Sequence, residues 1–250
     1  MTSRSQVSYG VLGSLSVCVG ATEISIPTRR ARGVLGCLLL EPGRFVRLSS
    51  LVGALYGSEP VKSAINQVHR GVGELRKLGI PIVSGPKSFK LDASAASVDC
   101  YQFRDQIELA STAVSRSDLN LGREIYQKAL ELWRGSAFEG LAGSTFESAA
   151  RYWDELRVIA EQAYIEVELK LGSFRTILPR VVMLNMKHPR NETFLGQLML
   201  ALYQSGRTTE ALEAYTRFAR DLADELGVSP GPGLSSLQVQ ILQQDPSLSQ

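Results

Sequence analysis

The 250-residue sequence predicts two domains of different class, an α+β domain in residues 1–93 and an all-α domain in residues 98–250. Up to Asp92 short apolar runs are interspersed with helical patterns, whereas nearly every later segment has helical periodicity. Residues 1–92 carry 12 Lys and Arg against 5 Asp and Glu, while residues 93–250 carry 15 against 20. A basic front and an acidic back indicate domains with different partners, chance variation of surface charge being the alternative.

The α+β domain is predicted to begin with three short strands separated by glycines. Two helices follow, each opened by a Thr or Ser that can cap its N-terminus and each stopped by a glycine. The predicted elements are strands Val7–Leu12, Leu15–Val19 and Glu23–Ile26, helix Arg29–Leu40, the extended piece Phe45–Leu48 and a helix from Ser49 or Ser50 to Tyr56.

A third helix, Val61–Leu78, is predicted to have one apolar and one polar face. The apolar residues recur at spacings of three and four, at Ile65, Val68, Val72 and Leu75. A strand–turn–strand with two lysines, Pro81–Leu91, follows directly. Strands, three helices and a basic hairpin in this order predict a winged helix-turn-helix with an additional N-terminal sheet.

The polar face of the third helix is the candidate DNA-reading surface. At about 100° per residue, Arg70 lies almost opposite the apolar face. Arg can bind guanine bidentately and Asn or Gln can bind adenine, while cations at a helix N-terminus suit phosphates. The alternative is a solvated amphipathic surface. The base-reading candidates are Ser63, Asn66, Gln67 and Arg70, and the backbone-binding candidates are Arg29, Arg30, Arg32, His69, Lys77, Lys87, Ser88 and Lys90.

Helical patterns joined by short turns fill the second domain and predict a tetratricopeptide-like bundle. In the clearest unit, Leu195–Leu226, the small Ala211 allows two helices to approach closely and Tyr215 fills the groove beside it. An ordinary helical hairpin is the alternative. The predicted helices are Tyr101–Val114, Leu119–Trp133, Phe146–Leu171, Phe174–Met186, Glu192–Gln204, Thr208–Leu226 and Pro232–Gln244.

No constellation of side chains predicts catalysis or metal binding. The sequence has two histidines, His69 and His188, and no phosphate-cradle, zinc-protease or serine-hydrolase motif. Its three cysteines lack metal-ligand spacing. The longest apolar stretch, Val34–Leu40, is too short to span a bilayer, and no signal-peptide pattern opens the chain. We therefore expect an intracellular protein that is not an enzyme, with no cofactor, no metal and no membrane partner.

Two long segments of the second domain are distinctive: Leu198–Tyr215, which contains Leu-Tyr-Gln-Ser-Gly-Arg, and Asp224–Gly233, which reads Asp-Glu-Leu-Gly-Val-Ser-Pro-Gly-Pro-Gly. Together with five shorter pieces, they make the chain resemble the Streptomyces antibiotic regulatory protein (SARP) family of transcriptional activators over Tyr9–Pro246. The shorter pieces are Val11-Leu-Gly13, Arg29–Leu40, Leu51–Gly57, Ser63–Val68 and Ala129–Gly135.

The resemblance implies an OmpR-type winged helix at the front and a bacterial transcriptional activation domain at the back. It implies activation of secondary-metabolite clusters, often for antibiotics, in the cytoplasm of a bacterium and in association with its nucleoid. The implied partners are double-stranded promoter DNA carrying direct repeats, RNA polymerase holoenzyme and a second protomer forming a homodimer on DNA. Because neither a receiver domain nor a nucleotide-binding extension occurs in the sequence, we expect a minimal member.

Four residues depart from the family pattern. Tyr56 stands where Trp is usual, and Gly71 and Gly73 each cost a helix interior up to about 1 kcal/mol relative to Ala. Glu74 replaces a basic residue, so it would repel phosphate or accept a hydrogen bond from cytosine. The last three residues favour the alternative function, a tetratricopeptide-like interaction scaffold with a degenerate DNA-binding module. They also predict that one protomer binds DNA weakly without a second protomer or polymerase.

Overall fold

The computed structural model describes residues 7–57 and 63–249. The chain divides into two compact units. The first contains the residues up to Glu108 together with Gln127–Val158, and the second contains Leu109–Tyr126 together with the residues from Ile159 onward. The first unit therefore takes in parts of the predicted helical domain, and the boundary between residues 93 and 98 stays a prediction.

The first unit begins with a three-stranded antiparallel sheet in the order β1-β2-β3, formed by Val7–Gly10, Ser16–Val19 and Thr22–Glu23. The first two strands lie within the predicted ones and are shorter, whereas the third shares only Glu23 with the predicted Glu23–Ile26. Val11 and Leu12 leave the ladder because their backbone N–H groups donate to the Asp99 carboxylate, at 2.8 and 3.1 Å. Their carbonyls accept from the backbone N–H groups of Phe138 and Arg134, at 2.7 and 2.8 Å. The first loop is thus completed by residues far along the sequence.

Three helices follow the sheet: α1 (Arg29–Leu39), α2 (Leu48–Tyr56) and α3 (Ala64–Lys77). The Thr28 hydroxyl caps α1 by accepting from the Ala31 N–H at 3.2 Å. The predicted start of the third helix at Val61 lies outside the described residues. The placement of Ile65 on its apolar face is wrong, since Ile65 is 50% exposed. The inward stripe is Ala64, Val68, Gly71, Val72 and Leu75, so small residues occupy two of its positions.

A second antiparallel sheet has the order β4-β6-β5, formed by Val46–Arg47, Ser88–Leu91 and Ile82–Gly85. The hairpin predicted after the third helix is therefore present, with Ile82 paired with Leu91 and Gly85 with Ser88. Pro86 and Lys87 form its two-residue turn, in which Lys87 has a φ of 50°. Buried Phe89 and Leu91 anchor β6 to the core of the unit.

Aromatic side chains fill the helical part of the first unit. Phe103 meets Trp133 edge to face with ring centroids 5.4 Å apart, and Tyr101 meets Trp153 in the same manner at 5.6 Å. The next three helices are α4 (Asp99–Ser115), α5 (Leu119–Glu131) and α6 (Ser144–Lys170). The aromatic contacts join the start of α4 to the segment after α5 and to α6.

The second unit is built from helical pairs with short turns. After α6 come α7 (Phe174–Lys187), α8 (Glu192–Gln204), α9 (Thr208–Leu226) and α10 (Pro232–Leu242). Leu195, Leu198, Leu202 and Ala211 are buried, as the sequence predicts, and the Tyr215 hydroxyl lies 3.2 Å from the Ser235 hydroxyl. An ion pair also joins α6 to α7, where Arg180 Nε lies 2.6 Å from the buried carboxylate of Glu161.

The fold is thus a small β-containing N-terminal part followed by a helical domain. Across residues 7–57 and 63–249, we find no helix with both the length and the apolar character needed to cross a membrane.

Candidate nucleic-acid interface

One face of α3 is exposed and polar. Its inward stripe packs into the first unit, which leaves Ser63, Asn66, Arg70 and Lys77 exposed on the other side. Within the described part of the chain, neither Asn66 nor Arg70 makes a hydrogen bond or ion pair through its side chain. Both therefore keep their full hydrogen-bonding capacity for an external partner.

Gln67 lies at one edge of this face and is engaged by α1. Arg30 Nη1 donates to Gln67 Oε1 at 3.3 Å, so the guanidinium of α1 contacts the side chain of α3 directly. Gln67 is only partly exposed, unlike Asn66 and Arg70. It belongs to the same surface, but its amide oxygen already accepts one hydrogen bond from the protein.

Glu74 holds Arg30 in place. Arg30 Nε donates to Glu74 Oε1 at 2.8 Å, Nη2 donates to the same oxygen, and the Thr28 hydroxyl donates to Oε2. The hydrogen bonds from Arg30 and then Thr28 lower the pKa of the Glu74 carboxyl below its usual value. The expected repulsion between Glu74 and phosphate is therefore offset by a neighbouring cation. Both carboxylate oxygens accept from α1 or its cap, which disfavours the cytosine-reading role.

Gly71 has a packing role that its helix propensity conceals. A Cβ there would lie 3.1 Å from Val34 Cγ2 and 3.3 Å from the Arg30 carbonyl oxygen. The absence of a side chain lets α1 and α3 approach closely, which places Arg30 beside Gln67 and Glu74. A Cβ at Gly73 would meet nothing within 4 Å, so packing gives no reason for glycine there.

The other predicted cations differ in availability. Arg29 and Arg32 are exposed in the first turn of α1, and Lys87 is exposed at the hairpin turn. Lys90 is half-buried, with its Nζ 3.6 Å from Asp92 and 5.4 Å from the Phe45 ring centroid.

Two candidates are not simple surface residues. Ser88 is only 9% exposed in β6, which leaves little of its surface for contact with the DNA backbone, and that role stays a prediction. His69 is exposed, but its ring packs edge to face on Phe89 at 5.4 Å, which gives it a structural contact as well.

Three further arginines bear on this surface, although the sequence pattern did not single them out. Arg76 ties α3 to β5, since its Nε and Nη2 donate to the Ile82 carbonyl at 3.0 and 2.8 Å. Arg44 and Arg47 are exposed around β4, where Arg47 pairs with Ser88 and immediately precedes α2. A cation next to a helix N-terminus was the available signal for Arg47.

Comparison with known proteins gives a consistent set of relatives. A family model described as the bacterial transcriptional activator domain matches residues 98–242. The regulatory protein AfsR of Streptomyces coelicolor is 34% identical over 245 residues, which is 97% of this chain and 25% of that protein. The regulatory protein DnrI of Streptomyces peucetius is 31% identical over 253 residues, which is 95% of this chain and 93% of that protein.

A solved structure shares the fold over nearly the whole chain. It is described as Mycobacterium tuberculosis EmbR in complex with a low-affinity phosphopeptide, and it matches with a TM-score of 0.90 and 28% identity. The match covers 98% of this chain and 68% of that one. The chain therefore spans about a quarter of AfsR, about two thirds of EmbR and nearly all of DnrI.

Proposed function

Because this chain belongs to the SARP family of transcriptional activators, we propose that it binds promoter DNA through α3 and the β5–β6 hairpin and recruits RNA polymerase. In this proposal the residues up to 93 form an OmpR-type winged helix, with α3 as recognition helix and the hairpin as wing. The helices from residue 98 onward form a tetratricopeptide-like activation domain. The proposal is of a regulator rather than an enzyme, working in the bacterial cytoplasm at the nucleoid.

The observation that carries the proposal is the exposed, uncommitted polar arc of α3 directly opposite a buried stripe. Arg70 lies at its centre, with Ser63 and Asn66 within about 40° on a wheel of 100° per residue. Arg suits guanine and Asn suits adenine, each bidentate contact being worth about 1–3 kcal/mol of discrimination. These side chains, with Gln67, are the proposed base readers.

Cations around the arc are the proposed contacts to the DNA backbone. Arg29 and Arg32 lie in the first turn of α1, where the helix N-terminus itself favours an anion. Lys77 lies near the end of α3, Lys87 at the tip of the wing, and Arg47 just before α2. Arg30 and Lys90 take part less directly because other side chains of the protein occupy them. His69 is kept as a peripheral contact, and Ser88 is left out.

Two of the residues that favour a degenerate DNA-binding module serve the fold instead. Gly71 permits the close approach of α1 and α3, and Glu74 anchors Arg30. Only Gly73 still favours the scaffold alternative, and one glycine does not outweigh an intact polar face on α3.

The partners follow from family and charge. We propose double-stranded promoter DNA with direct repeats, occupied by a homodimer, and RNA polymerase holoenzyme contacting the acidic helical part. The regulated genes would be a secondary-metabolite cluster, of which an antibiotic cluster is the expected kind.

Selection of duplexes from a random-sequence library by the purified chain tests the proposal. We expect an enriched direct repeat, weak binding to a single half-site and firm binding to the repeat. Arg70→Ala should lower affinity for the enriched sequence by about 1–3 kcal/mol and relax specificity at one base pair. Arg217→Ala, at an exposed arginine of α9, is the matched control and should change neither. Failure to enrich any sequence would overturn the proposal.

A further inference from the structure

The contact between Arg30 and Gln67 fixes which end of an amide is presented to DNA. Arginine carries only hydrogen-bond donors and glutamine carries one acceptor oxygen and one donor NH₂ group. The side-chain atom of Gln67 that faces Arg30 must therefore be its oxygen, in agreement with the 3.3 Å bond from Nη1 to Oε1. The Nε2 amino group is left for an external partner.

A free glutamine and a held glutamine recognise different bases. A free side chain binds adenine bidentately, accepting from N6 and donating to N7. That mode uses the oxygen on which Arg30 already donates, and the neighbouring N–H groups of the guanidinium disfavour the approach of a second donor such as the adenine N6 amino group. An amide that turns its donor outward beside a cationic fork fits guanine, whose O6 and N7 are both acceptors, better than adenine, which offers N7 as an acceptor but N6 as a donor.

Three groups hold Arg30 in the position this requires. Its Nε and Nη2 are bound by Glu74, whose other oxygen accepts from Thr28, the cap of α1. The close approach of α1 at Gly71 brings the guanidinium to the edge of α3. Arg30 is therefore fixed at both ends of its fork and is not a mobile phosphate ligand.

Resting on the proposed function, we propose that Arg30 is a positioning residue for base recognition: it holds the Gln67 oxygen so that Gln67 turns its amino group outward and prefers guanine to adenine. The sequence alone favours adenine for Gln67, because nothing in it shows that Arg30 donates a hydrogen bond to the amide oxygen. Glu74 thereby becomes part of the specificity of the protein although it contacts no base.

The test measures base preference rather than affinity alone. With the sequence enriched from the random library, each base pair is varied and binding is measured for wild type, Gln67→Ala and Arg30→Met. Gln67→Ala identifies its base pair by flattening the preference there. Arg30→Met, which keeps an unbranched side chain of similar length, should raise the ratio of adenine to guanine affinity at that pair by about fivefold or more.

Controls separate positioning from general loss of binding or folding. Arg32→Met removes an exposed cation of the same turn that does not contact Gln67, and it should lower affinity for all sequences alike. Arg30→Lys keeps a cation beside Glu74 but loses the planar fork, so it should shift the ratio in the same direction even if Arg30→Met fails to fold. The double variant Arg30→Met/Gln67→Ala should show no shift.

The outcomes distinguish the two proposals. If wild type enriches no sequence, the proposed function itself fails. If wild type enriches a sequence and the folded Arg30 variants keep its base ratios, the positioning role of Arg30 is overturned while DNA binding stands. The same conclusion follows if wild type prefers adenine at the Gln67 base pair.

Discussion

At the scale of single residues, Glu74 shows how neighbouring side chains change the role that a residue is expected to have. The sequence places a carboxylate on the helix proposed to face DNA, where it would repel phosphate. In the folded chain Arg30 and Thr28, more than forty positions earlier, bind both of its oxygens. No local pattern reveals a pair so far apart, whereas the exposed Arg29, Arg32 and Arg70 could be identified from helical periodicity alone.

The Glu74 interaction predicts a difference in pH dependence. Its pKa is lowered in the folded chain, so ionised Glu74 stabilises the fold above its unfolded pKa of about 4.3, and that contribution is lost as pH falls through the lower folded value. Thermal melting of wild type and Glu74→Gln should therefore differ most near neutral pH and converge only as the pH falls through the lowered pKa of Glu74. Glu213→Gln, at an exposed acid of α9, is the control. A Tm difference independent of pH would contradict the assignment.

The two glycines of α3 should respond oppositely to the same substitution. Gly71→Ala places a methyl group against Val34 and the Arg30 backbone and should cost about 1–3 kcal/mol of unfolding free energy. Gly73→Ala meets open space and should stabilise by up to about 1 kcal/mol. Urea denaturation measures both changes. Equal changes in unfolding free energy at the two positions would show that they arise from helix propensity alone and not from the close approach of α1.

At the scale of secondary-structure elements, periodicity predicted the presence and order of strands and helices but not the rotation of α3. Ile65 is large and apolar and was therefore assigned to the buried face, yet it is half exposed. The stripe that packs inward includes Ala64 and Gly71, because small residues suit a close helix contact. A pattern that counts only large apolar residues cannot register such a contact. The β5–β6 hairpin was predictable because Gly and Pro mark its turn.

The hairpin turn offers a substitution that separates charge from folding. Lys87 has a φ of 50°, which glycine and asparagine adopt more readily than lysine. Lys87→Asn should leave unfolding free energy unchanged or raise it by a few tenths of a kcal/mol, while lowering affinity for all DNA sequences. If Lys87 contacts one phosphate, the slope of log affinity against log salt should become shallower by about 0.9.

Salt titration of DNA binding measures this effect. Lys128→Asn, at an exposed lysine of α5, is the control and should leave the slope unchanged. An unchanged slope in Lys87→Asn would show that Lys87 does not contact a phosphate.

At the scale of the whole molecule, the charge division and the two-class architecture were predictable, because both are properties of long segments. The composition of the first compact unit was not. Asp99, Arg134 and Phe138 lie in the predicted helical domain but bind the loop after β1. Their partners are backbone groups, which every residue carries, so nothing in the side-chain sequence marks the pairing.

Asp99 should consequently be a main support of the first unit. Its carboxylate accepts from the backbones of Val11 and Leu12 and from Arg134 Nη2 at 3.0 Å, and the residue is only 9% exposed. Asp99→Asn replaces one acceptor oxygen with a donor and should cost about 2–4 kcal/mol in urea denaturation. Asp105→Asn, at an exposed acid of the same helix, should cost less than about 0.5 kcal/mol. A loss at Asp99 no larger than at Asp105 would contradict this role.

The loop after β1 also has a consequence for biosynthesis. The Val11 carbonyl accepts a hydrogen bond from the Phe138 N–H. The first strand therefore leaves the ribosome long before the segment that completes its hydrogen bonding. At about 5–20 residues per second, the intervening stretch takes roughly 6–25 s to translate. During that interval α3 and the β5–β6 hairpin are synthesised, while the N-terminal sheet is still unfinished. The nascent N-terminal part should therefore be exposed to chaperones and proteases until the start of the helical region has emerged.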